Sequence, residues 1–182
     1  MQGLTRVSRT CVTVADPSFE DTSVQSEGQL PNSTWQYGPD ADIRLVHTPT
    51  ALGPNTTANG QQYVFEFASE ESRDGFWQDL NATYEAGVTY EFSVALGLGQ
   101  AIDYNSIVAL EFRTSDNTPV ASRSLLAASL PEERFSLRDV QHTVPLGADH
   151  VNKSIRIAFR FSGTGFSPGI DAAQLCIAAL PT

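Results

Sequence analysis

Residues 90–96 read Tyr90-Glu91-Phe92-Ser93-Val94-Ala95-Leu96, with a large apolar side chain at every second position and Glu91, Ser93 and Ala95 between. Side chains alternate across a strand and recur every 3.6 residues around a helix, so this stretch is a half-buried β-strand with Tyr90, Phe92, Val94 and Leu96 facing a core. The alternation recurs. Val108, Leu110 and Phe112 alternate with Ala109, Glu111 and Arg113; Ile155, Ile157, Phe159 and Phe161 with Arg156, Ala158 and Arg160; Tyr63, Phe65 and Phe67 with Val64, Glu66 and Ala68. The only helix-like run, Ser124 to Leu130, stops at Pro131 and is too short for more than a turn or two.

Turn signals separate these segments: Ala86-Gly87, Gly97-Leu98-Gly99, Asp116-Asn117-Thr118-Pro119, Pro145-Leu146-Gly147 and Ser162-Gly163-Thr164-Gly165. About nine strands at this spacing predict an antiparallel all-β sandwich of two packed sheets. The longest irregular stretch runs from about Glu20 to Asn59 and holds Trp35, Tyr37 and the strand-like Ile43-Arg44-Leu45-Val46. Connections of that length are functional or disordered, and the aromatics argue for order.

The chain has 182 residues, which favours a single domain over 1–182. Eleven basic residues stand against 21 acidic ones, for a net charge of -10, and Lys153 is the sole lysine. A nucleic-acid binder needs a basic stripe and an anionic-membrane binder a Lys/Arg cluster, and neither is present. No apolar run approaches the roughly 20 residues of a membrane span. A Schiff-base mechanism is a poor fit, because Lys153 lies in the polar stretch Asn152-Lys153-Ser154.

Cys11 and Cys176 sit near opposite ends of the chain, each in a short apolar run. The first and last strands of all-β domains are often neighbours, so the pair reads either as a bridge closing nearly the whole chain or as two buried thiols. Four N-x-S/T triplets, at Asn32, Asn55, Asn81 and Asn152, favour the bridge, because they point to a glycosylating and therefore oxidising compartment. Met1 to Arg6 has no apolar core of a signal peptide. The expectation is a secretory-pathway or extracellular protein given without its leader.

The ordered set of segments resembles the cellulase-C-type carbohydrate-binding modules, a galactose-binding-like jelly-roll group. Val14-Ala15-Asp16-Pro17-Ser18-Phe19-Glu20 stands where that group has N-P-S-F-E, followed by Trp35, and Ala58-Asn59-Gly60-Gln61-Gln62 stands for its A-H-S-G segment. Phe76-Trp77-Gln78-Asp79-Leu80 with Glu85-Ala86-Gly87-Val88-Thr89-Tyr90-Glu91-Phe92-Ser93 is similar to S-Q-T-L followed by A-G-T-T-Y-T-F-S. Ile170-Asp171-Ala172-Ala173-Gln174-Leu175 sits where F-D-D-V-S-L is usual. The resemblance implies a jelly roll whose first and last strands pair. It also implies a structural calcium shared by Glu20 and Asp171, although Ala172 replaces the usual second acid.

No hydrolytic constellation accompanies this. His47, His142 and His150 are scattered; G-x-S-x-G and H-E-x-x-H are absent; and Gly97-Leu98-Gly99 lacks the third glycine and helix of a phosphate cradle. If Phe92, Phe112 and Phe159 pack between the sheets, Glu91, Ser93, Glu111, Arg113, Arg156 and Arg160 take the opposite orientation. They read as an ordinary solvated face or as a groove. In the resembling group the outer concave face of one sheet is the ligand site, which makes Trp35, Tyr37, Trp77, Gln78 and Arg160 candidate ligand contacts.

Two functions fit such a groove. One is a secreted, lectin-like glycan binder without catalysis, although this chain carries no catalytic partner domain. The preferred one is a stand-alone cyclase with no organic cofactor, as in the Stig cyclases that resemble the module group and, by type of reaction, in fungal hetero-Diels-Alderases. Arg113, Arg156 or Tyr104 would polarise a carbonyl, and Glu111 or Asp171 would move a proton. The expected partner is a small-molecule substrate or a glycan, with a homodimer an open expectation.

Overall fold

The computed structural model describes residues 9–20, 28–29, 34–39, 41–47, 57–68, 75–98, 104–132, 134–163 and 165–179. The strands within them are β1 (Arg9–Val12), β2 (Gly28–Gln29), β3 (Gln36–Tyr37), β4 (Asp42–His47), β5 (Gln62–Ala68), β6 (Phe76–Thr83), β7 (Val88–Gly97), β8 (Ile107–Thr114), β9 (Pro119–Leu126), β10 (Phe135–Thr143), β11 (Ser154–Ser162), β12 (Gly165–Phe166) and β13 (Gly169–Ala179).

They form two antiparallel sheets. The larger runs β10-β7-β13-β5-β4-β2, with β1 added on β13 and β12 on β5; the smaller runs β3-β6-β11-β8-β9. Strands distant in sequence lie side by side, as β7 does with β13 and β6 with β11, because the chain crosses between sheets in the manner of a jelly roll.

The alternating stretches become the long strands because each offers one apolar side to the interior. Tyr90, Phe92, Val94 and Leu96 of β7 are all fully buried, opposite Val108, Leu110 and Phe112 of β8 and Ile155, Ile157 and Phe159 of β11. Phe159 is the hub. Its ring stacks on Phe76 at 4.6 Å and meets Phe92 edge-on at 5.3 Å. Each such ring withdrawn from water contributes about 1.5–3 kcal/mol. Close packing also dictates Gly75, just before β6. It has φ +57°, and a Cβ there would lie 1.8 Å from the Phe159 carbonyl oxygen.

β1 pairs with β13 so that Cys11 lies opposite Cys176, and the two form a disulfide. It spans 165 residues of sequence. In the loop-entropy picture a closure of that size is worth about 5 kcal/mol.

Three expectations need correction. Glu91 and Ser93 lie on β7 of the larger sheet, whereas Glu111, Arg113, Arg156 and Arg160 lie on β8 and β11 of the smaller one, so the supposed shared face is two faces on opposite sides. On β5 the core residue is Val64, and Tyr63 and Phe65 form a separate cluster with Val46, against which Phe135 packs. Alternation groups residues by side without saying which side is the interior. Finally, Ser124 to Leu126 complete β9, and only Ala127–Ser129 make a 3-10 turn.

Candidate functional site

Several residues expected at a ligand site instead hold segment 14–20 against the sandwich. Gln78 is on the inward side of β6, and its side-chain amide both accepts from the Ala15 N–H and donates to the Ala15 carbonyl, each at 2.9 Å. Trp35 is fully buried, donates its indole N–H to the Asp16 carbonyl at 3.1 Å, and packs against Phe19, Phe76 and Phe159. It is no platform at a rim. Tyr37 pairs with Phe76 across β3 and β6, and therefore turns to the same interior side, where it packs half-buried against the core.

Glu20 and Asp171 belong to the same clasp. Glu20 Oε1 accepts the N–H groups of Gln61 and Gln62, both at 2.7 Å. Asp171 Oδ2 accepts those of Ala58 at 2.8 Å and Asn59 at 2.9 Å, and Oδ1 accepts that of Ala172 at 2.6 Å. Burial pushes the Asp171 carboxyl up to about 6, and the nearby Glu20 charge adds to this, against the pull of three N–H bonds. N–H groups of the chain thus donate to Glu20 Oε1 and to both oxygens of Asp171. No group of three or more His, Cys, Asp or Glu side chains is placed to hold a metal among the described residues.

The outer face of the smaller sheet is different. Strand register lays its outward residues in rows: Trp77, Ala158, Glu111 and Ser122 in one, Asp79, Arg156 and Arg113 in the next, and Arg160, Ala109 and Ser124 on the other side. Arg156 grips both oxygens of Asp79, at 2.6 and 2.8 Å, and its guanidinium lies 5.2 Å from the ring centre of Trp77. Arg113 Nε donates to Glu111 Oε2 at 2.6 Å. Asn117, in the β8–β9 turn, receives Arg113 at 2.9 Å and Arg156 at 3.4 Å on its Oδ1. Trp77 donates its own N–H to Gln36 at 3.0 Å and stays half-buried, so its ring is a partly open surface.

Of the expected site residues, Trp77, Glu111, Arg113, Arg156 and Arg160 come together on this face. Tyr104 does not. It precedes β8, and Ile107 to Arg113 alone spans about 20 Å of extended strand. It is exposed and donates to Glu132 Oε1 at 3.0 Å, a bond that raises its pKa. Asp79 and Asn117 were missed. Asp79 stands two residues after Trp77, hence on the same side of β6, and Asn117 was noticed only as part of a turn.

A cavity of about 430 Å³ opens on the larger sheet beside the clasp, lined by residues including Val12, Pro17, Ser18, Asn59, Leu137 and Ala172. Among the described residues its lining holds the polar side chains of Ser18, Asn59, Ser93 and Gln174 but neither a charged group nor an aromatic ring, so it can hydrogen-bond a ligand but offers no ion to stabilise developing charge and no ring to stack on.

The family model described as HpiC1-like, HpiC1 cyclase, matches residues 10–166. Among solved structures, the apo form of a cyclase from Fischerella sp. is 16% identical, with TM-score 0.77 over 96% of this chain and 99% of that one. A cyclase from Fischerella sp. TAU in complex with 4-(1H-indol-3-yl)butan-2-one is 15% identical, with TM-score 0.78 over 95% and 100%. The CBM22-1 xylan-binding domain of Paenibacillus barcinonensis Xyn10C is 13% identical, with TM-score 0.55 over 90% and 93%. A comparison with curated proteins finds no match.

Proposed function

The chain belongs to the HpiC1-like cyclase family and is a jelly-roll cyclase, and we propose that the outer face of its five-stranded sheet holds a hydrophobic small molecule and closes a ring in it. The observation that carries this reading is the convergence there of a partly open indole, two carboxylates and three guanidinium groups on adjacent strands.

In the reaction proposed, a pericyclic closure of the Diels-Alder type in natural-product biosynthesis, no nucleophile and no organic cofactor takes part. Holding the reacting ends at near-attack distance can remove up to about 7–11 kcal/mol of barrier. Trp77 would supply the flat apolar surface, and guanidinium donors would stabilise negative charge developing on a carbonyl oxygen. Glu111 is the proposed proton carrier. Asp171, fully buried with three N–H groups donating to its carboxylate and away from this face, is not assigned that role in the reading proposed.

A glycan-binding reading is favoured by the likeness to the xylan-binding domain, yet Trp77 is the lone aromatic on the mapped rows of this face. The secretory pathway is the proposed location. It is supported by the disulfide, which persists in oxidising surroundings, and by the exposure of Asn81 and Asn152. Asn32 and Asn55 lie outside the described residues.

Calorimetric titration with 4-(1H-indol-3-yl)butan-2-one and, in parallel, xylo-oligosaccharides tests the reading. Saturable binding of the indole ketone is expected, weakened about tenfold or more in Trp77→Ala, with little change in melting temperature. Binding of the oligosaccharides alone would overturn it in favour of the glycan binder.

A further inference from the structure

We infer that Arg160 makes this face a receptor for an oxyanion, so that the substrate is a hydrophobic ring system bearing a carboxylate or a similarly acidic oxygen. The inference rests on the proposed site and goes on to name the class of molecule it takes.

Charge on the face does not balance. Among the described residues on its mapped rows, Arg113, Arg156 and Arg160 stand against Asp79 and Glu111, a surplus of one cation there in a chain whose net charge is -10. The two carboxylates are already engaged elsewhere. Both Asp79 oxygens take Arg156, and Glu111 Oε2 takes Arg113. What remains for Arg160 is Glu111 Oε1 at 3.8 Å from its Nη1, beyond hydrogen-bond reach.

Arg160 therefore carries spare donors. Its Nε is buried with no hydrogen-bond partner, while its side chain is 39% exposed, which leaves its terminal nitrogens open to a ligand. A guanidinium stays charged in proteins and presents a planar fork suited to two-oxygen anions. Across the sheet its neighbours are Ala109 and then Ser124, small residues that leave room beside the fork and place a hydroxyl near it. One row further, Ile107 and Leu126 pair with each other and are 39% and 46% exposed. A ligand with an acidic oxygen on Arg160 and its hydrocarbon body on Trp77 or on the Ile107–Leu126 end would match both features.

The test uses a matched pair, 4-(1H-indol-3-yl)butan-2-one and 4-(1H-indol-3-yl)butanoate, which differ in the neutral ketone against the carboxylate. At low salt the carboxylate is expected to bind about tenfold tighter, as a charge-assisted bond supplies, and the advantage shrinks as salt rises. Arg160→Gln should abolish the advantage, so that the ketone and the carboxylate bind alike. Arg160→Lys should keep part of it, and Arg123→Gln, whose side chain pairs with Asp139, should keep all of it. Equal affinities in the unmodified protein, or an advantage that survives Arg160→Gln, would overturn the inference while leaving the cyclase face standing. If neither compound binds, the proposed face itself is wrong and the inference falls with it.

Discussion

The clasp around residues 14–20 and the outer face of the smaller sheet use the same polar residue types for opposite ends. In the clasp, Gln78, Glu20 and Asp171 all spend their side chains on backbone N–H and C=O groups. It also holds three of the five non-glycine residues with positive φ among those described, Asp16, Phe19 and Ala172. Such conformations cost about 1–3 kcal/mol each and persist where the surroundings over-determine them. On the outer face the bonds run mostly from side chain to side chain, and Arg160 is left with donors to spare. Polar groups that satisfy backbone fix a fold; polar groups that leave capacity over can recognise something else.

The largest effect that would sharpen this contrast is expected in Asp171→Ala. Three N–H groups in partly buried bonds lose their acceptor, which should cost on the order of 3 kcal/mol in a urea-unfolding measurement. A loss under about 1 kcal/mol would mean that the clasp does not hold the fold.

Next in size is the pH dependence. The Asp171 carboxyl titrates near about 6 in the folded chain, above its unfolded value near 4, so the native state binds the proton more readily. Its contribution to stability is fully present below the unfolded value and is lost as pH rises through 6. His142 acts in the other sense. Burial, with the facing His150 3.0 Å away, holds it below its ordinary value, so protonation at falling pH costs stability. Melting curves from pH 4.5 to 7.5, taken as wild type minus Asp171→Asn, isolate the first effect. The difference should shrink as pH rises, and a flat difference would contradict it.

The smallest effect is expected from Asp79→Asn. Its pairing with Arg156 is partly exposed and should be worth no more than about 1 kcal/mol to stability. Freeing Arg156 from its place over Trp77 should still change the affinity for the indole ketone. Destabilisation as large as that of Asp171→Ala would erase the distinction between the two regions.

Alternation made the strands legible, because burial of one side is a local property that the chain writes at every second position. Tyr90 to Leu96 is the clearest case, and the pairing of Cys11 with Cys176 followed from the expected meeting of first and last strands. What a side chain faces is a property of the whole fold. Tyr63 and Phe65 read like core residues and lie outside the sandwich, since nothing near them marks which side the second sheet will cover. Trp35 and Gln78 carried the right chemistry for a ligand site, yet the chain brings segment 14–20 against them and uses their polar atoms up. Glu111, Arg113, Arg156 and Arg160 were legible as an outward set because β8 and β11 happen to be neighbours, a fact of topology that alternation does not encode.

The two tryptophans mark the two regions, and that allows one direct measurement. Their indole N–H groups should be followed by NMR while 4-(1H-indol-3-yl)butan-2-one is titrated in, with Trp77→Phe assigning the pair. If the ligand sits on the outer face of the smaller sheet, the Trp77 resonance moves and that of Trp35, bonded to the Asp16 carbonyl, stays. Movement of Trp35 with Trp77 unchanged would put the ligand at the clasp and its neighbouring cavity, and would contradict the account.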